Sequence, residues 1–290
     1  MGGMAWRFLK GHGTENDFVL LPDPDGALDL TATRVAAVCD RRAGIGGDGV
    51  LRVVRAAADP HSAAMAAEAE WFMDYRNADG SVSEMCGNGA RVFGRYLVAA
   101  GLATPGPIPL ATRGGVRLVT VPVDGDISVE MGRPTFATLR AMPVVAVRDA
   151  DGERRWPATS VSIPNPHAVA FVDHLDDAGP LLEPPQIAPT AMFPDGANVE
   201  FVAVHAPGHL AMRVHERGVG ETRSCGTGAC AAAIAARRRE GEGSPRLWRV
   251  DVPGGAVHVE ERADGEVVLS GPAVLVAEGV LDEAWLADHP

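Results

Sequence analysis

Residues 86–101 read CGNGARVFGRYLVAAG and residues 225–241 read CGTGACAAAIAARRREG. In each, a cysteine precedes a Gly-x-Gly-Ala turn that opens a helical pattern. Each pattern stops at a glycine, Gly101 or Gly241, where a left-handed backbone carries no Cβ penalty. Arg237, Arg238 and Arg239 fall in the last turn of the second run and suit the negative end of a helix dipole. The two cysteines are 139 residues apart, and a polar residue stands nine positions before each, Asn77 in the first copy and Glu216 in the second. A repeat at about half the chain length predicts two related domains meeting face to face.

Around these helices the chain reads as short strands, at residues 18–21, 50–54, 116–123, 128–131, 199–204 and 267–269. Residues 31–38 carry a further helical pattern and residues 63–70 a weaker one. The stretch 133–157 reads as a crossover between the halves, and 179–194, GPLLEPPQIAPTAMFP, as a long surface excursion.

The chain has 290 residues, 46% hydrophobic and 22% charged, which excludes wholesale disorder and leaves ample material for a core. Its formal charge of -12, with no long basic run, makes nucleic acid and anionic membranes poor partners. No apolar run approaches the roughly 18–20 residues that span a bilayer, and the N-terminal MGGMAWRFLK has no signal-peptide core, so a cytoplasmic location is expected. Four cysteines are too few for a disulfide scaffold and are expected to be thiols. The single lysine, Lys10, leaves almost no residue for Schiff-base chemistry.

Three cofactor-like patterns fail on context. Gly44, Gly46 and Gly49 spell G-x-G-x-x-G, but here the loop follows a helical pattern and enters a strand, the reverse of a dinucleotide fingerprint. His205, His209 and His215 are interrupted by Pro207 and Gly208 and have no cysteine at zinc-finger spacing. Cys225 and Cys230 are five apart, not a C-x-x-C redox pair. No metal and no cofactor are expected. Cys39, in an apolar run, and Cys230, inside a helix, read as packing residues.

Cys86 and Cys225 differ, because each opens a helix, where free amides and the dipole favour a thiolate and an anion. Two such thiols facing one carbon could invert a stereocentre, one removing a proton while the other delivers one.

The segments KGHGTENDF, RRAGIGGDGVL, RNADGSVSEMCGNGAR, PNPHAVAF, ANVEF and HERGVGETRSCGTGAC, in this order between residues 10 and 230, resemble the diaminopimelate epimerase family. The resemblance implies interconversion of LL- and meso-diaminopimelate, a step toward lysine and peptidoglycan, without pyridoxal phosphate or metal. It implies an α/β (α+β) fold of two pseudo-symmetric domains, each a barrel-like sheet around a central helix, with the active site in the cleft between them. Residues 1–132 with 273–290 would form the first domain and 133–272 the second.

By the same resemblance Cys86 and Cys225 are the proton-transfer pair, with Cys225 the acceptor and Cys86 the donor in the LL-to-meso direction. His167 and Glu216 neighbour the reacting amino group. Gly87, Asn88, Gly226 and Thr227 present helix-end groups to the carboxylate of the reacting centre, where charge develops. Asn16, Asn77, Asn165, Asn198 and Arg217 hold the rest of the substrate, Arg217 being suited to a bidentate carboxylate contact.

Two positions depart from the pattern. Gly49 stands where some members carry a substrate-contacting glutamine, and Ala277 where some carry a tyrosine at a dimer contact, so a homodimer is expected less firmly. The alternatives are a proline-type racemase of the same fold, whose first motif tends toward histidine where Asn88 stands; a phenazine-biosynthesis type, which lacks the cysteine pair; and a redox-switch protein whose thiols form a disulfide.

Overall fold

The computed structural model describes residues 6–137, 142–149 and 152–289. The chain forms two compact units, one running to Val129 and resuming at Pro272, the other spanning Glu130–Gly271.

The first unit is built from β1 (Arg7–Gly13), β2 (Asn16–Pro22), α1 (Ala32–Cys39), β3 (Gly49–Arg55), β4 (Trp71–Asn77), α2 (Gly87–Ala99), β5 (Gly106–Thr112), β6 (Gly115–Val121) and the start of β7 (Ile127–Gly132). Neighbouring strands pair in the order β1-β2 antiparallel, β2-β3 parallel, β3-β4 antiparallel, β4-β5 parallel, and β5-β6 and β6-β7 antiparallel. Each parallel step needs a crossover, and α1 and α2 supply them.

The run Phe18-Val19-Leu20-Leu21 is wholly buried because β2 is covered on both faces. Val19 and Leu21 pack with Val35 and Val38 of α1, while α2 packs against β2 within the same unit. Thr31 caps α1 by accepting from the Arg34 amide.

The second unit contains β8 (Val144–Asp149), β9 (Gly152–Ser162), β10 (Pro166–Phe171), β11 (Gln186–Ala188), β12 (Asn198–Ala206), β13 (His209–Glu216), β14 (Gly220–Thr222), α3 (Gly226–Glu240), β15 (Leu247–Val252), β16 (Gly255–Glu261) and β17 (Val267–Gly271). From β9 the ladder runs β9-β10 antiparallel, β10-β12 parallel, β12-β13 antiparallel, β13-β15 parallel, and β15-β16 and β16-β17 antiparallel. This is the same order of pairing senses as in the first unit, so the cysteine-helix repeat is one part of a repeated fold. The chain ends in the first unit with β18 (Val274–Val280), antiparallel to β1, and the short α4 (Glu283–Ala287).

In α3, every residue from Gly226 to Ala236 is buried, which fits a helix apolar all round, and its small side chains admit strands from several directions. It packs against β9, β10, β12, β13, β15, β16 and β17. Asp23 and Arg52 of the first unit pair in the interior.

The mixed α+β class is borne out. Each unit is a strand-rich sheet around a helix, and among the described residues no ladder closes into a barrel. Three local readings change. Residues 63–70 form only a short 3-10 turn at Ala63–Met65, because the alanine-rich stretch lacks a capping side chain and a sustained apolar face. The expected crossover at 133–157 contains the β8-β9 hairpin instead. The excursion at 179–194 is largely exposed, yet Leu181 and Phe193 anchor it in a core with Val199 and Phe201. It covers the outer face of β10 and β12, as α1 covers β2 and β3.

Candidate active site

The repeated fold explains why the polar motifs gather at one end of each sheet. In the first unit, parallel β2 and β3 begin at Asn16 and Gly49, and antiparallel β4 ends at Asn77 opposite Gly49. In the second, β10 and β12 place His167 opposite Asn198, and β13 ends at Glu216. A helix starts beside each group, opened by Cys86 or Cys225.

Both cysteines are N-caps with extended backbone, φ -139° for Cys86 and -120° for Cys225. In each, Sγ accepts a 3.3 Å hydrogen bond from the amide three residues on, Gly89 or Gly228. The thiol sulfur thus takes the place that serine or aspartate fills in an ordinary cap. Gly89 and Ala90, and likewise Gly228 and Ala229, direct their amides back to the cap residue. Gly87-Asn88 and Gly226-Thr227 occupy the first turn of each helix, where the dipole favours an anion.

In the first half-site, Asn16 Oδ1 accepts from Asn88 Nδ2 at 3.2 Å and from the Cys86 thiol at 3.9 Å, while its Nδ2 donates to Asp48 at 2.7 Å. Arg91, fully buried, donates to Asn88 Oδ1 at 2.6 Å and to Thr14 at 3.2 Å. Thr14 and Glu15 sit at positive φ, 50° and 60°, in the turn that presents Asn16. Asn77 lies on the neighbouring strand end and donates to Ser81. Asp48 in turn accepts from Arg41. Thr14, Asp48 and Arg91 support the half-site without having been singled out in the sequence.

In the second half-site, His167 Nδ1 meets Glu200 Oε1 at 2.6 Å and Nε2 meets Asn165 Oδ1 at 3.0 Å. Asn198 Oδ1 accepts from the Arg217 amide at 2.9 Å, and the exposed Arg217 guanidinium donates to the Asp195 carbonyl. Glu216 accepts from Thr222 at 2.5 Å and faces the Cys225 thiol, which also meets Thr227 Oγ1 at 3.4 Å. Burial pushes the Glu216 carboxyl up despite its hydrogen bonds.

Burial first, and then the carboxylates of Glu216 and Glu200, hold the Cys225 thiol well above the usual range. A helix start favours a thiolate, and at Cys225 burial and two carboxylates act against it. The dipole contributes about 2 kcal/mol at most, and burial next to carboxylates outweighs it. Cys39 is a packing residue in an apolar cluster, its thiol pushed up to about 12 mainly by burial.

The remaining patterns take ordinary places in the fold. The amides from Gly44 to Asp48 all donate to carbonyls of the protein, which leaves the glycine loop no phosphate cradle. His209 pairs with Asp251, and among the described residues no cluster of three His, Cys, Asp or Glu could hold a metal ion. A β-carbon at Gly49 would lie 2.5 Å from the Arg76 carbonyl oxygen and 2.7 Å from the Tyr75 ring, so this backbone leaves no room for a side chain there.

Solved structures share this architecture: a PhzF-family phenazine biosynthesis protein from Bacillus anthracis (TM-score 0.69, 16% identity, 97% of this chain and 100% of that one) and a hydroxyproline epimerase from Agrobacterium vitis (TM-score 0.63, 16% identity, 96% and 93%). At such identities the likeness is one of fold, and it defines the class as the two-unit α+β fold of epimerase and PhzF-type proteins. Within that class the chain belongs to the diaminopimelate epimerase family, whose model matches residues 8–137 and 159–276. It is 60% identical over 284 residues to a diaminopimelate epimerase of Streptomyces coelicolor, covering 96% of each chain. To that of Thermobifida fusca it is 53% identical over 281 residues, covering 94% of this chain and 97% of the relative.

Proposed function

We propose that this protein converts LL-diaminopimelate to meso-diaminopimelate, on the route to lysine and peptidoglycan precursors, by proton transfer between two cysteines and without a cofactor. The observation that carries this reading is the repeated N-cap geometry, which gives each unit one thiol at a helix start surrounded by polar side chains. Family membership supplies the substrate.

In the LL-to-meso direction Cys225 Sγ removes the α-proton from one face. Negative charge then builds on the α-carbon and its carboxylate, held by the Gly87-Asn88 and Gly226-Thr227 amides. Cys86 gives its thiol proton to the opposite face, which leaves Cys225 protonated and Cys86 as thiolate. His167 and Glu216 lie by the reacting amino group, and Asn16, Asn77, Asn165, Asn198 and Arg217 hold the remaining ammonium and carboxylate.

Burial, and then Glu216 and Glu200, favour the protonated form of the Cys225 thiol, and in this reading the substrate helps to release that proton. An α-ammonium entering beside these carboxylates offsets their charge and releases the thiol proton.

The test is turnover of LL-diaminopimelate in deuterated water with a chelator present and no added cofactor. Product is expected to carry one solvent deuterium at the inverted carbon and none at the distal centre. Product without that deuterium, or activity that depends on added pyridoxal phosphate or metal, removes the two-thiol reading.

We also propose a cytoplasmic homodimer. Among the described residues no helix is long and apolar enough to cross a membrane. On β18, Val274, Val276 and Val280 are exposed beside Ala277, and a second copy would cover them. Sedimentation equilibrium should give twice the chain mass of 30.3 kDa; a monomer at micromolar concentration excludes the dimer.

A further inference from the structure

Glu200 is the one charged residue in the apolar strand NVEFVAVHA, and it is completely buried. Alternation along β12 sends Val199 and Phe201 into the core on one face and Asn198 and Glu200 to the other, toward α3. The carboxylate is built into place rather than tolerated. A β-carbon at Gly228 would lie 2.8 Å from Glu200 Oε1, so the second glycine of the Cys-Gly-Thr-Gly turn makes room for it. Oε1 meets His167 Nδ1 at 2.6 Å, whereas Oε2 is buried with no hydrogen-bond partner among the described residues. A buried carboxylate with one unsatisfied oxygen is expensive, and a single short contact to a site residue is what it gains in return.

From this geometry we infer that Glu200 is a positioning residue, which accepts a hydrogen bond from His167 Nδ1-H and thereby fixes the imidazole with Nε2 turned toward Asn165 and the reacting amino group. A histidine held at one nitrogen by a carboxylate has a fixed ring orientation. Glu200 touches no reacting atom in this scheme and acts through His167. The inference rests on the proposed place of His167 beside the substrate. The titratable groups facing the pair are Glu216 on β13 and Cys225 at the start of α3; β9 places Val161 opposite His167.

The test uses full-length enzyme with nitrogen-15-labelled histidine. In the wild type, the His167 Nδ1 signal should be that of a protonated nitrogen throughout pH 6–9. Glu200→Gln keeps the shape of the side chain but removes its charge. It should change the His167 Nδ1 signal and reduce kcat about tenfold or more, with KM changed less than about threefold. Glu200→Asp, one methylene shorter but still charged, should recover the His167 signal and kcat in part. A purely structural Glu200 would lower the melting temperature while leaving the His167 signals and the pH profile of kcat unmoved, and that result overturns the inference. So does an unprotonated Nδ1 in the wild type, which requires no variant to fold. Should His167→Asn retain full turnover while Glu200→Gln still moves the His167 signals, the role of His167 in the reaction fails and the hold of Glu200 on the ring stands.

Discussion

Serine at Cys86 or Cys225 is expected to reduce epimerisation by about 10³-fold or more, roughly 4 kcal/mol of transition-state stabilisation, while leaving the protein as stable as the wild type. Serine separates the two duties that each cysteine performs. As an N-cap it can accept from the Gly89 or Gly228 amide at least as well as sulfur does. As an acid-base group it fails, because a hydroxyl ionises far less readily than a thiol. Alanine removes both functions and should also lose about 0.5–2 kcal/mol of stability with the cap. The single variants have a diagnostic residue of activity. With Cys86 replaced, Cys225 can still exchange the α-hydrogen of the isomer it faces without inverting it, so LL-diaminopimelate should slowly take up deuterium and remain LL. Turnover within tenfold of the wild type in either serine variant ends the two-thiol mechanism.

The two cysteine helices were legible because each carries its own punctuation: a cap cysteine, small residues in the first turn and a terminal glycine at positive φ, 69° at Gly101 and 81° at Gly241. The repeat of those signals also revealed the two-fold plan. What stayed hidden were contacts made across long sequence separations. Asp48 reaches Asn16 from 32 residues away, Glu200 reaches His167 from 33, and Arg91 reaches Thr14 from 77. A charged residue in an apolar strand, as in VEFVAV, is the available signal for Glu200, since a strand buried on both faces carries a charge only if a partner waits for it.

The groups that act on the Cys225 thiol were hidden for a related reason. A helix start is visible in sequence, but the two carboxylates that surround Cys225 come from β12 and β13 and become its neighbours only on folding. The β8-β9 hairpin was missed because residues 133–157 were read for their place between the repeats rather than for the alternation of VVAVRD.

Asp74→Ala is expected to destabilise the protein by about 3–5 kcal/mol, the range for removing one partner of a buried ion pair. Asp74 has no exposed side-chain surface and lies opposite Arg52 across the β3-β4 ladder. It pairs with Arg113 at 2.6 Å, Arg76 at 3.2 Å and Arg52 at 3.5 Å, and Arg52 also holds Asp23 and Asp59. The three arginines and three aspartates balance, so taking away Asp74 leaves Arg113 and Arg76 facing a site with no anion. Burial acts to raise the Asp74 carboxyl, but the hydrogen bonds from Arg76 and Arg113 prevail and hold it below its ordinary value. Its contribution is therefore complete above the unfolded carboxyl's pKa of about 3.9 and is lost as the pH falls through the lower folded value. Urea unfolding of the wild type should show stability falling below about pH 4, and Asp74→Asn should flatten that acid limb as well as lower stability at pH 7. The same strand, β4, ends three residues later at Asn77, so this cluster also fixes the register from which the first half-site is presented. Stability of Asp74→Ala within about 1 kcal/mol of the wild type at pH 7 would show that the arginines relax to solvent and that the cluster does not anchor the strand.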